Sequence, residues 1–159
     1  MMTFLEKQTN PLDPVHHMGN LMVDNMYTSG TAGNRFFGHL KKNDTFLASE
    51  CKKCGTTFFP PRLYCEDCFI EIPVDDWKEV PAQGTVRLFT TAMLNTFGEK
   101  LEEPKVIGMI DIEGTHGAML AYLKTDDPNK DLSGRKVKAV LRPKDQREGT
   151  LKDILYFEE

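Results

Sequence analysis

The sequence predicts a mainly β protein with helices at its N-terminus, a cysteine-clamped metal ribbon in the middle and a small five-stranded barrel at the end. Three observations predict it. Two Cys-x2-Cys pairs stand ten residues apart, at Cys51, Cys54, Cys65 and Cys68. Apolar residues recur at helical steps only before residue 44. After residue 83 the chain runs in short segments rich in Thr, Val, Ile and Leu, bounded by Gly, Pro, Asn and Asp.

At 159 residues the chain has room for one ordinary domain or two very small ones. It divides into an arm with two helices over 1–44, the ribbon over 45–75 and the barrel over 76–159. The composition, 40% hydrophobic and 28% charged, is that of a globular protein. No run approaches the roughly 20 apolar residues that span a bilayer, and the first residues lack a secretion signal, so the cytoplasm is the expected location. The net charge of -4 and pI of 5.6 argue against general nucleic-acid binding, because each phosphate contact needs a Lys or Arg. Over 135–152 the balance reverses with Arg135, Lys136, Lys138, Arg142, Lys144, Arg147 and Lys152. That run reads as a solvated strand rim, with an anion site as the alternative.

Residues 1–12 carry no periodicity. Asp13 and Pro14 then supply an N-cap and a first-turn proline, and Val15, Met18, Leu21, Met22 and Met26 share one face of a helix over 14–27. Thr31 can cap a second helix with Phe36, Phe37 and Leu40 on one side and Lys41 and Lys42 in its last turn, ended by Asn43 and Asp44. A short extended stretch over 45–50 leads into the cysteines. Barrel strands follow at 84–94, 106–113, 117–124, 136–142 and 151–157, with 114–117 as a glycine-bounded hairpin turn. Without helices long enough for crossovers, an antiparallel barrel is favoured over a parallel sheet.

The cysteine segment reads CKKCGTTFFPPRLYCEDC. Two such pairs can place four sulfurs tetrahedrally around zinc at about 2.3 Å. Gly55 follows Cys54, as a knuckle that turns through left-handed backbone requires, whereas Phe69 follows Cys68 and predicts a less regular second knuckle. Disulfides are disfavoured in a cytosolic chain, and a redox pair would need a strand-helix setting that is absent. Iron also accepts four thiolates; zinc is the default for a closed, structural site. A ribbon this small cannot bury enough apolar surface to order itself, and metal binding on the order of 10 kcal/mol offsets the chain entropy.

These residues, from Phe36 through the cysteine segment with its Pro60-Pro61-Arg62, then Trp77 and Gly84-Thr85-Val86, resemble the zinc-ribbon plus OB-fold proteins associated with acyl-CoA enzymes. The similarity spans roughly residues 35–157. It implies a helical N-terminal part, a rubredoxin-like ribbon and an OB-fold barrel. It also implies a role as companion subunit of thiolases, related condensing enzymes, hydratases or aldolases. On that resemblance Arg62 and Lys136 are candidates to meet CoA phosphates. Met18, Met22, Met26, Phe36 and Phe37 are candidates to face a partner, although the methionine stripe could equally pack on this chain's own barrel.

Catalysis by the chain itself is not expected. A thiolase acts through a free cysteine, and all four cysteines here are assigned to the metal. No nucleophile elbow, phosphate loop or His-Glu-x-x-His helix occurs. His16, His17, His39 and His116 read as surface or capping residues, and Asp111 and Glu113 as a solvent-exposed strand end. The leading expectation is a non-catalytic, zinc-binding accessory subunit of an acyl-CoA enzyme, most of all a thiolase. A thiolase that cleaves benzoylsuccinyl-CoA in anaerobic toluene breakdown is the particular case. The alternatives are a single-stranded nucleic-acid module and a stand-alone acyl-CoA binder.

Overall fold

The computed structural model describes residues 27–159 except 96 and 129. The first helix expected from sequence, with His16, His17, Met18, Met22 and Met26, lies outside these residues. Helix α1 (Gly30–Lys42) leads into strands β1 (Thr45–Glu50), β2 (Thr57–Phe58) and β3 (Trp77–Pro81). Then come β4 (Gln83–Leu94), β5 (Lys100–Ile112), β6 (Ala118–Leu123), β7 (Lys136–Leu141) and β8 (Ile154–Glu158). The first three strands form a sheet in the order β2-β1-β3, and the last five close a barrel in the order β4-β5-β6-β8-β7.

The barrel strands obey their two-residue period. On β7, Val137 and Ala139 are buried between exposed Lys136 and Lys138, and on β5, Val106, Ile110 and Ile112 turn inward. Closure departs from the all-antiparallel expectation at one place: β6 and β8 run parallel and pair at Leu123 and Phe157. β5 also begins earlier than its pattern suggests: Lys105 and Lys100 pair with Ala92 and Leu94 of β4, and Glu102, Glu103 and Pro104, which lack strand character, fall in the register irregularity between them. The expected start of the last strand is a 3-10 turn (Leu151–Asp153), closed by a capping box between Thr150 and Asp153. β3 was not legible as a strand, yet it pairs with β1 from Trp77 to Pro81.

Helix α1 starts from Ser29 rather than from a Thr31 cap. Its buried face, Phe36 and Leu40, joins one continuous core with Phe46 of β1, Phe59, and Val86, Ile110 and Phe157 of the barrel. Phe36 lies 5.7 Å from Phe59 and 6.1 Å from Phe46, ring centre to ring centre, and Phe46 lies 6.4 Å from Phe157. These edge-on and tilted contacts are those that aromatic quadrupoles favour. Phe36 is 5% exposed, so the expectation that it faces a partner is corrected: its ring is already spent on this chain's own core. Phe37 is half-buried against the same cluster.

The basic run over 135–152 is not a uniform solvated rim. Arg147 is 6% exposed, and its guanidinium donates to the carbonyls of Leu40, Asn43 and Arg142 at 3.1, 2.7 and 2.6 Å and to the Asp44 carboxylate at 2.6 Å. It thus caps the C-terminal end of α1, where the helix dipole favours a cation, and pins the helix to the loop between β7 and β8. The same loop is held by Asp153, wholly buried, which accepts from the N–H groups of Glu148, Gly149 and Thr150 at 3.0, 2.7 and 3.1 Å. Desolvation pushes the Asp153 carboxyl up, but those three N–H groups, with Arg142 nearby, outweigh it and hold the group below the usual carboxylate range.

Arg147→Met leaves helix-end carbonyls buried without a donor and is expected to cost about 2–3 kcal/mol. Asp44→Asn, at a partner 62% exposed, is expected to cost under about 1 kcal/mol. Urea unfolding of the zinc-loaded variants measures both, and equal costs would show that the helix end does not depend on the guanidinium.

Candidate metal centre

β1 delivers Cys51 into a knuckle in which Gly55 N–H donates to Cys51 O at 2.7 Å and Cys51 N–H to Thr56 O at 2.9 Å. The second knuckle repeats this, with Phe69 N–H to Cys65 O and Cys65 N–H to Ile70 O, both 2.9 Å. Gly55 has φ +75°, and Phe69 adopts the same left-handed backbone at φ +54°. The expected irregularity of the second knuckle is therefore corrected. Its hydrogen bonding is regular, and the departure from glycine is met by strain of about 1–2 kcal/mol at Phe69. Among the described residues the phenyl ring gains little packing, since Phe69 is 88% exposed.

The four sulfurs all lie within 4.8 Å of one another, and Cys54 and Cys65 are 3.7 Å apart. Four sulfurs at about 2.3 Å from a tetrahedral centre are separated by roughly 3.8 Å, so the set fits one thiolate-bound metal ion. Cys51 and Cys65 are buried with Phe58 and Ile72 in a small cluster of their own. With all four positions supplied by protein, such a site has no open coordination position and is structural.

Electrostatics separate the sulfurs when no cation shares them. The Thr56 hydroxyl and backbone beside Cys54 hold its thiol down to about 6, while desolvation, then the neighbouring thiols, push Cys68 up to about 12. Desolvation likewise raises Cys65. One negative charge is tolerated in the quartet and further ones are resisted, which is the situation a divalent cation relieves.

The ribbon docks on the barrel through backbone. His116 N–H donates to Thr57 O at 2.6 Å, and a Cβ on Gly117 would stand 1.8 Å from Phe59 O. The hairpin turn at 114–117 has the glycines expected, but Gly117 serves close approach to the ribbon rather than positive φ.

Other candidate residues fall elsewhere. Arg62, on the segment between the cysteine pairs, contacts Glu66 at 2.6 Å and stacks 4.9 Å from the Phe58 ring centre. Lys136 lies exposed on β7 in a shallow cleft with Lys138, Asp111, Glu113 and Glu159, so the two cations have different neighbours. His39 is fixed between Asn43 and Thr45, each 3.0 Å away, and His116 is exposed in its turn. Asp111 is engaged by Arg87 at 3.0 Å and Glu113 by Gln83, so both carboxylates of that shallow cleft are held by neighbouring side chains as surface pairs. Thr56 is the ribbon residue that sequence reasoning missed, and for Phe69, named there as a departure from glycine, it missed the left-handed backbone. For Phe69 a signal existed in its position, one residue past the second Cys-x2-Cys.

A four-cysteine ribbon fused through β1 and β3 to a closed barrel of this strand order defines a zinc-ribbon protein with an OB-like barrel. The family model of the ChsH2 rubredoxin-like zinc ribbon domain matches residues 41–72. A DUF35-family crystal structure from Sulfolobus solfataricus matches with 33% identity and a TM-score of 0.57, covering 70% of this chain and 78% of that one. The chain belongs to the DUF35 family. A DUF35 domain-containing scaffold protein of Methanocaldococcus jannaschii is 28% identical over 111 residues, 68% of this chain and 75% of that protein. The corresponding scaffold protein of Methanothermobacter thermautotrophicus is 27% identical over 68% of this chain and 80% of its own length. The Ltp2-ChsH2(DUF35) aldolase shares the fold at 20% identity and a TM-score of 0.54, over 78% of this chain and 91% of that one. Among the described residues no helix is long and apolar enough to cross a membrane.

Phe69→Gly removes the left-handed strain and is expected to raise the stability of the zinc-loaded ribbon by about 0.5–1 kcal/mol, whereas Phe69→Ala, which keeps the strain, is expected to be neutral. Thermal unfolding with zinc bound discriminates them. Zinc uptake at neutral pH should expel the protons of Cys65 and Cys68, whose thiols are raised, so affinity rises with pH and acid releases the metal. A pH-indicator titration in weak buffer reads this directly; uptake without proton release would contradict it.

Proposed function

We propose that this chain is a non-catalytic, zinc-binding accessory subunit of an acyl-CoA enzyme, a thiolase foremost, and that it works by holding a rigid ribbon-and-barrel scaffold against its partner. The observation that carries the reading is the sequestration of every cysteine of the sequence in one metal quartet. No thiol is left to accept an acyl group, so the nucleophile comes from another chain. Two relatives named as scaffold proteins, and a neighbouring fold that belongs to an aldolase complex, support the same role. The zinc is structural and orders the ribbon; the chain's own residues contribute contact surface and charge.

Met18, Met22 and Met26 of the N-terminal segment are the partner-facing residues of this reading, together with half-buried Phe37 on α1. Arg62 is the stronger candidate for a CoA phosphate. It would exchange one exposed carboxylate, Glu66, for a phosphate, whereas a phosphate at Lys136 would meet the acidic groups Asp111, Glu113 and Glu159 in the same cleft. The substrate class that the family resemblance favours is an aromatic dicarboxylic acyl-CoA, benzoylsuccinyl-CoA in particular.

The purified chain should show no thiolytic cleavage of benzoylsuccinyl-CoA. A thiolase encoded beside it should co-elute with it and lose most of its activity or solubility when expressed without it. Thiolysis by the isolated chain, or a fully active thiolase alone, would falsify the accessory role.

A further inference from the structure

The barrel is closed between β6 and β8 at one point only, and what lies open beside that point is a strand-binding seam. Among the described residues the pairing of these strands is confined to Leu123 and Phe157, with Lys124 N–H reaching Phe157 O at 2.8 Å. At the other end of β6, His116 is bridged to Phe58 of the ribbon. Between these two closures, alternate residues of β6 face β5 and the seam. Gly117 O accepts from Ile112 on the β5 side and Lys124 N–H points to β8, so the N–H and C=O groups of Ala118 and Leu120 and the N–H of Tyr122 turn to the open edge, while Tyr122 O takes the Phe157 N–H of the single parallel bridge.

Over this edge lies a cavity of about 510 Å³ with walls of Ile107, Met119, Leu120, Tyr122, Ile154 and Leu155. Leu120 and Tyr122 are 66% and 50% exposed, and Leu151 at its mouth 59%. Cations border it and, among the described residues, no carboxylate lines it. Arg142 and Lys152 form one end, and Lys105 Nζ stands 5.5 Å from the ring centre of Tyr122 in its wall. Glu148 and buried Asp153 approach Arg142 at 3.9 Å, and three cations against these two carboxylates leave the rim positive by one.

An apolar ligand without hydrogen-bonding groups would dehydrate the unpaired backbone of β6 and give nothing back. An extended polypeptide meets all three features: main chain for the open edge, alternate apolar side chains for the walls and a carboxylate for the rim. The geometry points to this seam as a β-augmentation site for an extended, acidic segment of another protein. Taken with the accessory-subunit reading on which it rests, that protein is the partner enzyme.

The test titrates the zinc-loaded full chain with the peptide acetyl-Val-Thr-Val-Thr-Val-Asp-amide and follows backbone amides by heteronuclear NMR. Saturable shifts should centre on Ala118, Leu120, Tyr122 and Leu155. A version N-methylated at alternate residues, which keeps the side chains but blocks one edge, and a version ending in Lys should each bind weaker by about tenfold or more. Leu120→Pro removes an outward N–H and a wall side chain while sparing the N–H groups that pair with β5, and should abolish binding; Lys152→Glu, which leaves the edge intact, should weaken it. Equal affinity for the N-methylated peptide, or the absence of saturable shifts at millimolar peptide, overturns the proposal. So does closure of the seam by a second copy of this chain, seen as self-association in sedimentation that Leu120→Pro abolishes. The free chain is the reagent throughout, so a negative result rejects the seam while leaving the thiolase co-expression result to decide the accessory role.

Discussion

The structure depends on four sulfurs being drawn to one point. The cluster beneath them consists of Cys51, Cys65, Phe58 and Ile72, with Cys68, Ile70 and Trp77 packed partly against it. That is too little apolar area to order two knuckles and the segment between them, so the folding free energy of the ribbon is in large part the binding free energy of a metal. The consequence extends beyond the ribbon. The backbone leaving the first knuckle carries Phe58 to its bridge with His116 and Phe59 into the core among Phe36 and Phe46. The metal therefore also fixes how the ribbon sits on the barrel.

A second constraint comes from charge. The loop between β7 and β8 carries a cation and an anion that are both buried, Arg147 and Asp153: Arg147 donates to three main-chain carbonyls and the Asp44 carboxylate, and Asp153 accepts from three main-chain N–H groups. Buried charges are tolerated when they are hydrogen-bonded, and here the bonds run mostly to main-chain carbonyls and N–H groups, with Asp44 as the one carboxylate partner of Arg147, rather than between the two buried charges. The helix, the loop and the rim of the barrel become one unit through that pair. Acid weakens it in a definite sense. Because Asp153 lies below the usual carboxylate range, its contribution is present above the unfolded-state value and is lost as pH falls through the folded one.

Much of this was legible locally. The two Cys-x2-Cys pairs announce the metal because the ligands are close in sequence, and the strands of the barrel announce themselves by alternation, as Val137 and Ala139 do between Lys136 and Lys138. What was not legible is set by distance along the chain or by geometry. Arg147 looks like one of a run of surface cations, and only the fold brings it to Leu40, 107 residues upstream. Phe36 looks like a partner contact until the barrel supplies Phe157 and Phe46 around it. β3 has too few apolar residues to declare itself and forms because β1 offers an edge. The left-handed backbone at Phe69 has no compositional mark, since the knuckle dictates it and the residue bears the strain.

Metal content and thiol reactivity, measured together on the native protein, test the account most directly. Elemental analysis should find one zinc ion per chain, with no cysteine accessible to a thiol reagent until a chelator removes the metal, after which all four react. A native protein that carries no metal and presents a reactive cysteine would contradict it.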